Sequence, residues 1–462
     1  MAIHPYIPNS DPEIRSRMLE AIGVTSIEDL YESIPRELRV EGLLDLPEPF
    51  SAEADLVRHV EGLLNRNIST RDAISFLGAG CYAHHVPAVC DEVNSRSEFL
   101  TAYAGEPYED HGRFQTLFEY ASMMGELLTM DVVNVPVYDG YQAAATALRM
   151  TARINGRSRV LVAESTSAEK RSKIVDYLKP DLEVQFIPTN RATGTLDLTA
   201  LREALSAEVA GVLIESPNYF GVIEIDTEEI ASIVHQNGSL LVVSTDPISL
   251  GVLTPPATLG ADIVCGDIQS LGMHQYFGGG QAGYIAVADE TRFIEQLPSR
   301  LFGIAPTSVS GEFGFGDVAY ERTSFAVREE GKEWVGTAAA LWGITAGVYL
   351  ALMGPHGMTD VGETILARTR YAMKRLGSIP GLRVEHYNSS HFREFILSLN
   401  DIGLTVDAVD EALRRDGVFC GKDLSTEFPE FGQSVLVCIT ELTTKSNIDL
   451  LASLLEKVSA PS

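Results

Sequence analysis

The first candidate for chemistry in this chain is an acid that closes an apolar run, Leu240-Leu-Val-Val-Ser-Thr-Asp246. An acid at the C-terminal edge of a parallel strand points into the crevice where α/β sheets bind ligands. Such a carboxylate pairs well with a protonated ring nitrogen, as a pyridoxal-type cofactor requires. Capping the following loop accounts for Asp246 equally well. A pyridoxal enzyme also needs a Schiff-base lysine, expected in the loop after the next strand. That segment, Asp262-Ile-Val-Cys-Gly-Asp-Ile-Gln-Ser-Leu-Gly-Met-His274, contains no lysine, and none occurs between Lys179 and Lys332. A missing ammonium cannot be replaced by packing. A third candidate is Tyr138-Asp139-Gly140 before the helical stretch Tyr141–Ile154. A helix N-terminus there offers free N–H groups to a phosphate, whereas Asp139 as an ordinary N-cap is the plainer account.

Other chemistries find little support. Phe277-Gly-Gly-Gly-Gln-Ala-Gly283 lies between two strands and Phe76-Leu-Gly-Ala-Gly80 follows a helical region, so neither has the setting of a dinucleotide fingerprint. There is no GxxxxGK[ST], HExxH or GxSxG. His84 and His85 are adjacent, which disfavours joint metal ligation, and His111 and His274 are isolated. The five cysteines show no CxxC spacing, so free thiols in a reducing cytoplasm are expected, with no metal site.

These residues must be positioned by the elements around them. From residue 131 short apolar runs recur at Val160–Ala163, Val212–Ile214, Leu240–Val243, Ile263–Cys265 and Tyr284–Val287, separated by helical-period stretches. That alternation predicts an α/β fold with a mostly parallel sheet covered on both faces, the last run being its antiparallel member. Three segments are expected: an N-terminal helical segment over 1–75, a large α/β domain over 76–355, and a small C-terminal α+β domain over 356–462. In the first, Met18, Leu19 and Ile22 share a helical face, and Ser26 with Asp29 reads as a weak capping box for the next helix. In the last, a helix over Val361–Leu376 precedes strands at Phe395–Leu399 and Val435–Ile439.

The uncharged stretch Trp334–Gly354 is long enough to span a bilayer and contains the GxxxG Gly343–Gly347. Its many small residues favour a buried helix in close contact with another helix, at a subunit interface or elsewhere, so no membrane association is expected. The opening Met1-Ala-Ile-His-Pro-Tyr-Ile-Pro lacks a basic and an apolar region, so no secretory signal is expected and a cytoplasmic location is. Lys+Arg number 35 against 64 Asp+Glu, a net charge of −29, and only 8 of those cations are lysine. Nucleic acid, whose phosphates need clustered cations, is excluded as a partner. With 45 % apolar residues the chain builds a substantial core and is not disordered.

Dispersed motifs then become recognisable. They include Tyr6-Ile-Pro-Asn9, Phe76-Leu-Gly-Ala-Gly80, Arg96-Ser-Glu-Phe99, Thr101-Ala-Tyr103, Phe118-Glu-Tyr120 and Tyr138-Asp-Gly140. They continue through Glu215-Ser-Pro-Asn218, Phe220-Gly-Val-Ile-Glu224, Asp246-Pro-Ile-Ser-Leu250, Gln269-Ser-Leu-Gly272, Val348-Tyr-Leu-Ala-Leu352 and Thr440-Glu441. Over nearly its whole length the chain resembles subunit 1, the α-type subunit, of bacterial glycine decarboxylase, the P-protein of the glycine cleavage system.

That resemblance implies an aspartate-aminotransferase-like fold (fold type I) and an α2β2 assembly. The homologous β-type partner would carry pyridoxal phosphate, and this chain alone would bind none and be inactive. The complex would decarboxylate glycine and pass aminomethyl to the lipoyl arm of the H-protein. Ser270 would stand near the absent lysine, and Tyr138, Asp139, Gly140, Asp246, Ser270 and His274 would form a remnant cofactor cleft. Arg96, Glu98, Tyr103, Glu119, Tyr120 and Asn218 would support the interface or the partner's site. The chain departs from the family pattern at Ala104–Gly112, at Tyr141-Gln142 and at Glu330–Ala339. These departures point to a diverged paralogue serving another amino-acid reaction as the main alternative, with a non-catalytic scaffold as a third.

Overall fold

In the computed structural model, residues 4, 6–40, 42, 44–99, 113–326, 329, 331–333, 339–384 and 386–459 are described. The β-branched runs form a seven-stranded sheet. Its strands are β1 (Val132–Val133), β2 (Arg159–Ala163), β3 (Glu183–Ile187), β4 (Val209–Glu215), β5 (Leu240–Ser244), β6 (Ile263–Asp267) and β7 (Gly283–Val287). The spatial order is β1-β7-β6-β5-β4-β2-β3. Neighbours from β6 through β3 are parallel. Strand β7 runs antiparallel to both β6 and β1, as expected for the closing run.

Side chains alternate across the sheet yet are buried on both faces, which explains why the strands read as continuous apolar runs. Leu161, Val212, Leu241 and Val243 belong to one core, and Val160, Val162, Leu213 and Val242 to the other. Apart from the two-residue β1, strand β3 is the one that the apolar runs do not announce. It lies at the sheet edge, half-exposed, with Glu183 and Gln185 interleaved among its apolar residues.

The helix Ala340–Gly377 bends at Gly354, whose φ is 59°, followed by Pro355. It therefore runs through the expected domain boundary at 355. Ala372 and Leu376 near its end join the core of the C-terminal region, beside Phe395, Val437 and Leu451. The expected strands there are Glu394–Ser398 and Ser434–Cys438, paired antiparallel. Ser69–Ser462 forms one compact unit. Residues 69–75, grouped above with the N-terminal segment, belong to it because Ile74–Ser75 pairs in parallel with Val418–Phe419.

No described helix is long and apolar enough to cross a membrane. The small-residue face of Gly343 and Gly347 serves contact within the chain: a Cβ on Gly347 would sit 3.4 Å from Tyr120 Cα in the helix Phe114–Leu128. Gly347→Val is therefore expected to overfill this contact and destabilise the chain by about 1–3 kcal/mol, read as a lowered urea midpoint. An unchanged midpoint would show that the two helices separate freely.

The unit Met1–Ile68 has helices at Pro12–Ile22, capped by Asp11, and at Glu53–Leu64. None of its described residues is buried. The capping-box segment forms only a 3-10 turn, Glu28–Tyr31. The Asp29 carboxylate accepts backbone N–H groups from Thr25 and Ser26, which hold its carboxyl down at about 2.

Candidate functional site

The C-terminal ends of β4, β5 and β6 open into a cleft of about 120 Å³. The helix Gly140–Asn155 enters it by its N-terminus, and the loops after β5 and β6 supply Asp246 and Ser270. This is the edge at which open α/β sheets bind ligands.

Asp246 caps the following loop, as one of its two readings expected, and its other oxygen meets a cation of the chain. Its Oδ1 accepts the Ile248 N–H at 3.1 Å, capping the 3-10 turn Pro247–Gly251. The same oxygen accepts the Ser270 hydroxyl at 3.2 Å. Its Oδ2 faces Arg393 Nη2 at 2.8 Å, and Arg393 is only 2 % exposed. The guanidinium also lies 4.0 Å from the centre of the Tyr82 ring. Arg393 is held in place by its neighbours: Phe392 N–H reaches Gly221 O at 2.8 Å, and a Cβ on Gly221 would stand 1.9 Å from Glu394 O. Only glycine, at φ 77°, admits this approach.

Four further ionisable groups, Lys170, Glu215, Asp267 and Glu394, surround the cleft. Lys170 Nζ lies 2.6 Å from Glu215 and donates to Ser244 Oγ at 2.9 Å. Burial works against its charge, but Glu215, together with Cys265 and Tyr141, outweighs it and raises the Lys170 pKa. Lys170, the only amine among the described residues that line the cleft, is thus held protonated and is a poor nucleophile. Asp267 accepts N–H groups from Gly140 at 2.8 Å, Gln269 at 2.8 Å and Ala282 at 3.3 Å, while burial pushes its carboxyl up to about 7. Burial likewise pushes Glu394 to about 7, although Ala79 N–H and the Tyr82 hydroxyl both donate to it. Behind them His84 Nδ1 meets Glu441 at 2.6 Å. Burial would raise the Glu441 carboxyl, but His84 and the His85 N–H hold it at about 2.

Of the residues singled out from sequence, Gly140, Asp246, Ser270 and Asn218 line the cleft together. Asn218 shapes it: Oδ1 accepts the Phe220 and Val222 N–H groups and Nδ2 donates to Gly194 O. Asp139 caps its helix, accepting the Gln142 N–H at 2.7 Å, and Tyr138 points outward, more than half exposed. His274 sits away from the lining, paired with Asp91 at 3.0 Å. Arg96, Glu98 and Glu119 are on the surface. Tyr120 is fully buried in the core, and Tyr103 lies outside the described residues.

Sequence reasoning missed Lys170, Asp267, Arg393 and Glu394. Asp267 carried a signal, since it closes an apolar run as Asp246 does. The adjacent charges Arg393-Glu394 beside the apolar Phe395-Ile-Leu397 were a fainter one. Lys170, in the first turn of a polar helix, carried none.

A pyridoxal cofactor needs an amine, a phosphate site and a free carboxylate for its ring nitrogen. This cleft has no lysine on the loop after β6, a buried carboxylate at the helix N-terminus, and an aspartate already paired with arginine. Ligand pockets typically start near ~300 Å³, well above its volume. The residues present do not fit the group.

Residues 4–455 match the family model described as the glycine cleavage system P-protein. The chain is a member of that family. It is similar to the probable glycine dehydrogenase (decarboxylating) subunit 1 of Staphylothermus marinus, 37 % identical over 99 % of both chains. The protein of the same description from Geobacillus kaustophilus is 37 % identical over 97 % of each. A crystal structure of P-protein glycine decarboxylase in inhibitor-bound form superposes with a TM-score of 0.84 at 31 % identity, covering 99 % of this chain and 100 % of that one. A sphingosine-1-phosphate lyase structure from Burkholderia pseudomallei, TM-score 0.64 at 16 % identity, shares the fold alone. The P-protein fold is thus the fold-type-I arrangement expected from the sequence.

Proposed function

We propose that this P-protein family member is the α-type half of a glycine decarboxylase, with pyridoxal phosphate carried by a homologous β-type subunit. The observation that carries this reading is Ser270, whose hydroxyl rests on Asp246 where a Schiff-base lysine is required. The match to relatives described as subunit 1 supports a subunit 2 as partner. We place the pair in a cytoplasmic α2β2 assembly that serves a lipoyl-bearing H-protein, and this chain alone is inactive. Bound to the partner, the cofactor supplies an electron sink for the carbanion left as carbon dioxide departs. This chain's contribution is to complete and orient the partner's site.

The test is co-expression with a candidate β-type subunit, followed by an assay of exchange between the glycine carboxyl and carbon dioxide with H-protein present. Exchange is expected from the co-purified complex and from neither subunit alone. The isolated chain should show no internal-aldimine absorbance. A borohydride-fixable chromophore on it would overturn the reading, as would a β-type subunit that is fully active alone.

A further inference from the structure

We propose that the cleft is closed to a pyridoxal phosphate-type cofactor by its own charged side chains, carboxylates at two helix N-termini and an arginine on Asp246, and not merely by the lack of a lysine. The inference rests on the reading that the partner carries the cofactor, and it identifies what keeps that cofactor out of this subunit.

Two helices begin at the cleft, and both have their first N–H committed to a carboxylate of the chain. Gly140 N–H, at the start of the 16-residue helix Gly140–Asn155, donates to Asp267 Oδ2 at 2.8 Å. Ala168 N–H, at the start of the 11-residue helix Ala168–Leu178, donates to Glu427 Oε1 at 2.7 Å. One more N–H of each first turn is taken, Gln142 N–H by Asp139 and Lys170 N–H by Ser167 Oγ. A phosphate is drawn to a helix N-terminus by unpaired N–H groups and the positive dipole end. Here the first N–H of each helix is already spent on a carboxyl group of the chain, which for Asp267 is an anion only above about pH 7. An incoming phosphate would also meet these groups at close range in a poorly screened site.

Neither carboxylate can easily withdraw. Asp267 is buried and its Oδ1 takes two more N–H groups, from Gln269 and Ala282. A Cβ on Gly140 would stand 3.0 Å from Asp267 Cβ, so no gap separates the helix from this aspartate. Glu427 is tied to Lys422 Nζ at 2.8 Å and to the Tyr219 hydroxyl at 3.1 Å.

The ring end is blocked by different chemistry. A protonated ring nitrogen would compete for Asp246 with a guanidinium already 2.8 Å away. Arg393 is walled by Tyr82 and Phe392 and cannot swing out to water. The one amine of the lining, Lys170, is neutralised by Glu215. Asp246 and Lys170 therefore each face an opposite charge of the chain, although the Asp246–Arg393 contact is an ion pair without hydrogen-bond geometry.

The test restores the lysine and then removes the blocks, using the full-length chain and pyridoxal phosphate as probe. Ser270→Lys alone is expected to give no borohydride-fixed adduct at residue 270 and no saturable binding. At pH 8, where Asp267 is ionised, adding Asp267→Asn and Arg393→Met should raise affinity roughly a hundred-fold or more, because a buried like charge and a competing cation are both gone. It should also place the adduct on residue 270, located by mass spectrometry. Circular dichroism and thermal melting report whether each variant folds. Should the triple variant not fold, Ser270→Lys/Asp267→Asn decides: a ten-fold or larger gain over Ser270→Lys upholds the inference, and no gain overturns it. Equal adduct formation in Ser270→Lys alone and in the triple variant would also overturn it, leaving the absent lysine as the sole barrier. Cofactor binding by the unaltered chain is a separate outcome; it would sink the assignment of the cofactor to the partner.

Discussion

Asp246→Ala is expected to lower the unfolding free energy of the isolated subunit by about 3–5 kcal/mol, because it strands a buried guanidinium. Arg393 is 2 % exposed, its ion-pair partner is Asp246, and the face of Tyr82 offers only partial compensation. The substitution also removes the acceptor for Ile248 N–H and for the Ser270 hydroxyl. Arg393→Met should cost less, since the Asp246 side chain it leaves behind keeps 18 % exposure and both of those donors. The decisive measurement is the double variant Asp246→Asn/Arg393→Met. Asparagine retains the cap, and two charges leave the cleft together, so stability should return to within about 1–2 kcal/mol of the parent. Urea unfolding of the three variants gives the coupling. Additive losses would mean that the pair contributes nothing as a pair, and the cleft would then have to be read as a ligand site awaiting a partner for Asp246.

What the sequence made legible divides along a physical line. Strands β2, β4, β5, β6 and β7 were readable because parallel strands buried on both faces must be apolar throughout, a purely local requirement. Strand β3 escaped because an edge strand need only be half-buried. The GxxxG at Gly343 was readable as a helix contact, but not its partner: Tyr120 lies far away along the chain, and nothing local in a glycine pair names what fills the groove. The site follows the same rule. The missing lysine was visible because it concerns one loop. The pairs Asp246–Arg393, Lys170–Glu215 and Gly140–Asp267 were not, because each joins segments brought together only by the folded sheet. A charged residue in a sequence does not say which opposite charge will meet it. The absence pointed to a lost cofactor site, whereas the pairs that occupy the cleft are visible only in the structure.

Asp267 carries the second large expectation, a loss of stability as pH rises. Its carboxyl moves from 3.8 to about 7 on folding, so between those values the native chain holds a proton that the unfolded chain has released. Stability must then fall as pH rises across that window; the penalty is absent below about 4 and complete above about 7. Between pH 5 and pH 8 the Asp267 contribution alone amounts to about 3 kcal/mol. Asp267→Asn cannot ionise and should lose this slope. Its amide nitrogen would face a donor wherever it turns, since Oδ2 receives Gly140 N–H and Oδ1 receives Gln269 and Ala282 N–H. A pH-independent cost of about 1–3 kcal/mol follows from the unmet donors. The variant should therefore be less stable than the parent at pH 5 and equal or overtake it near pH 8. Other groups titrating in the range, Glu394 and Glu224 among them, are present in both proteins and largely cancel in the difference. Urea midpoints at unit intervals between pH 5 and pH 8 suffice. Parallel curves for the two proteins would mean that Asp267 is ionised throughout, with the helix N-terminus at Gly140 fully compensating its burial.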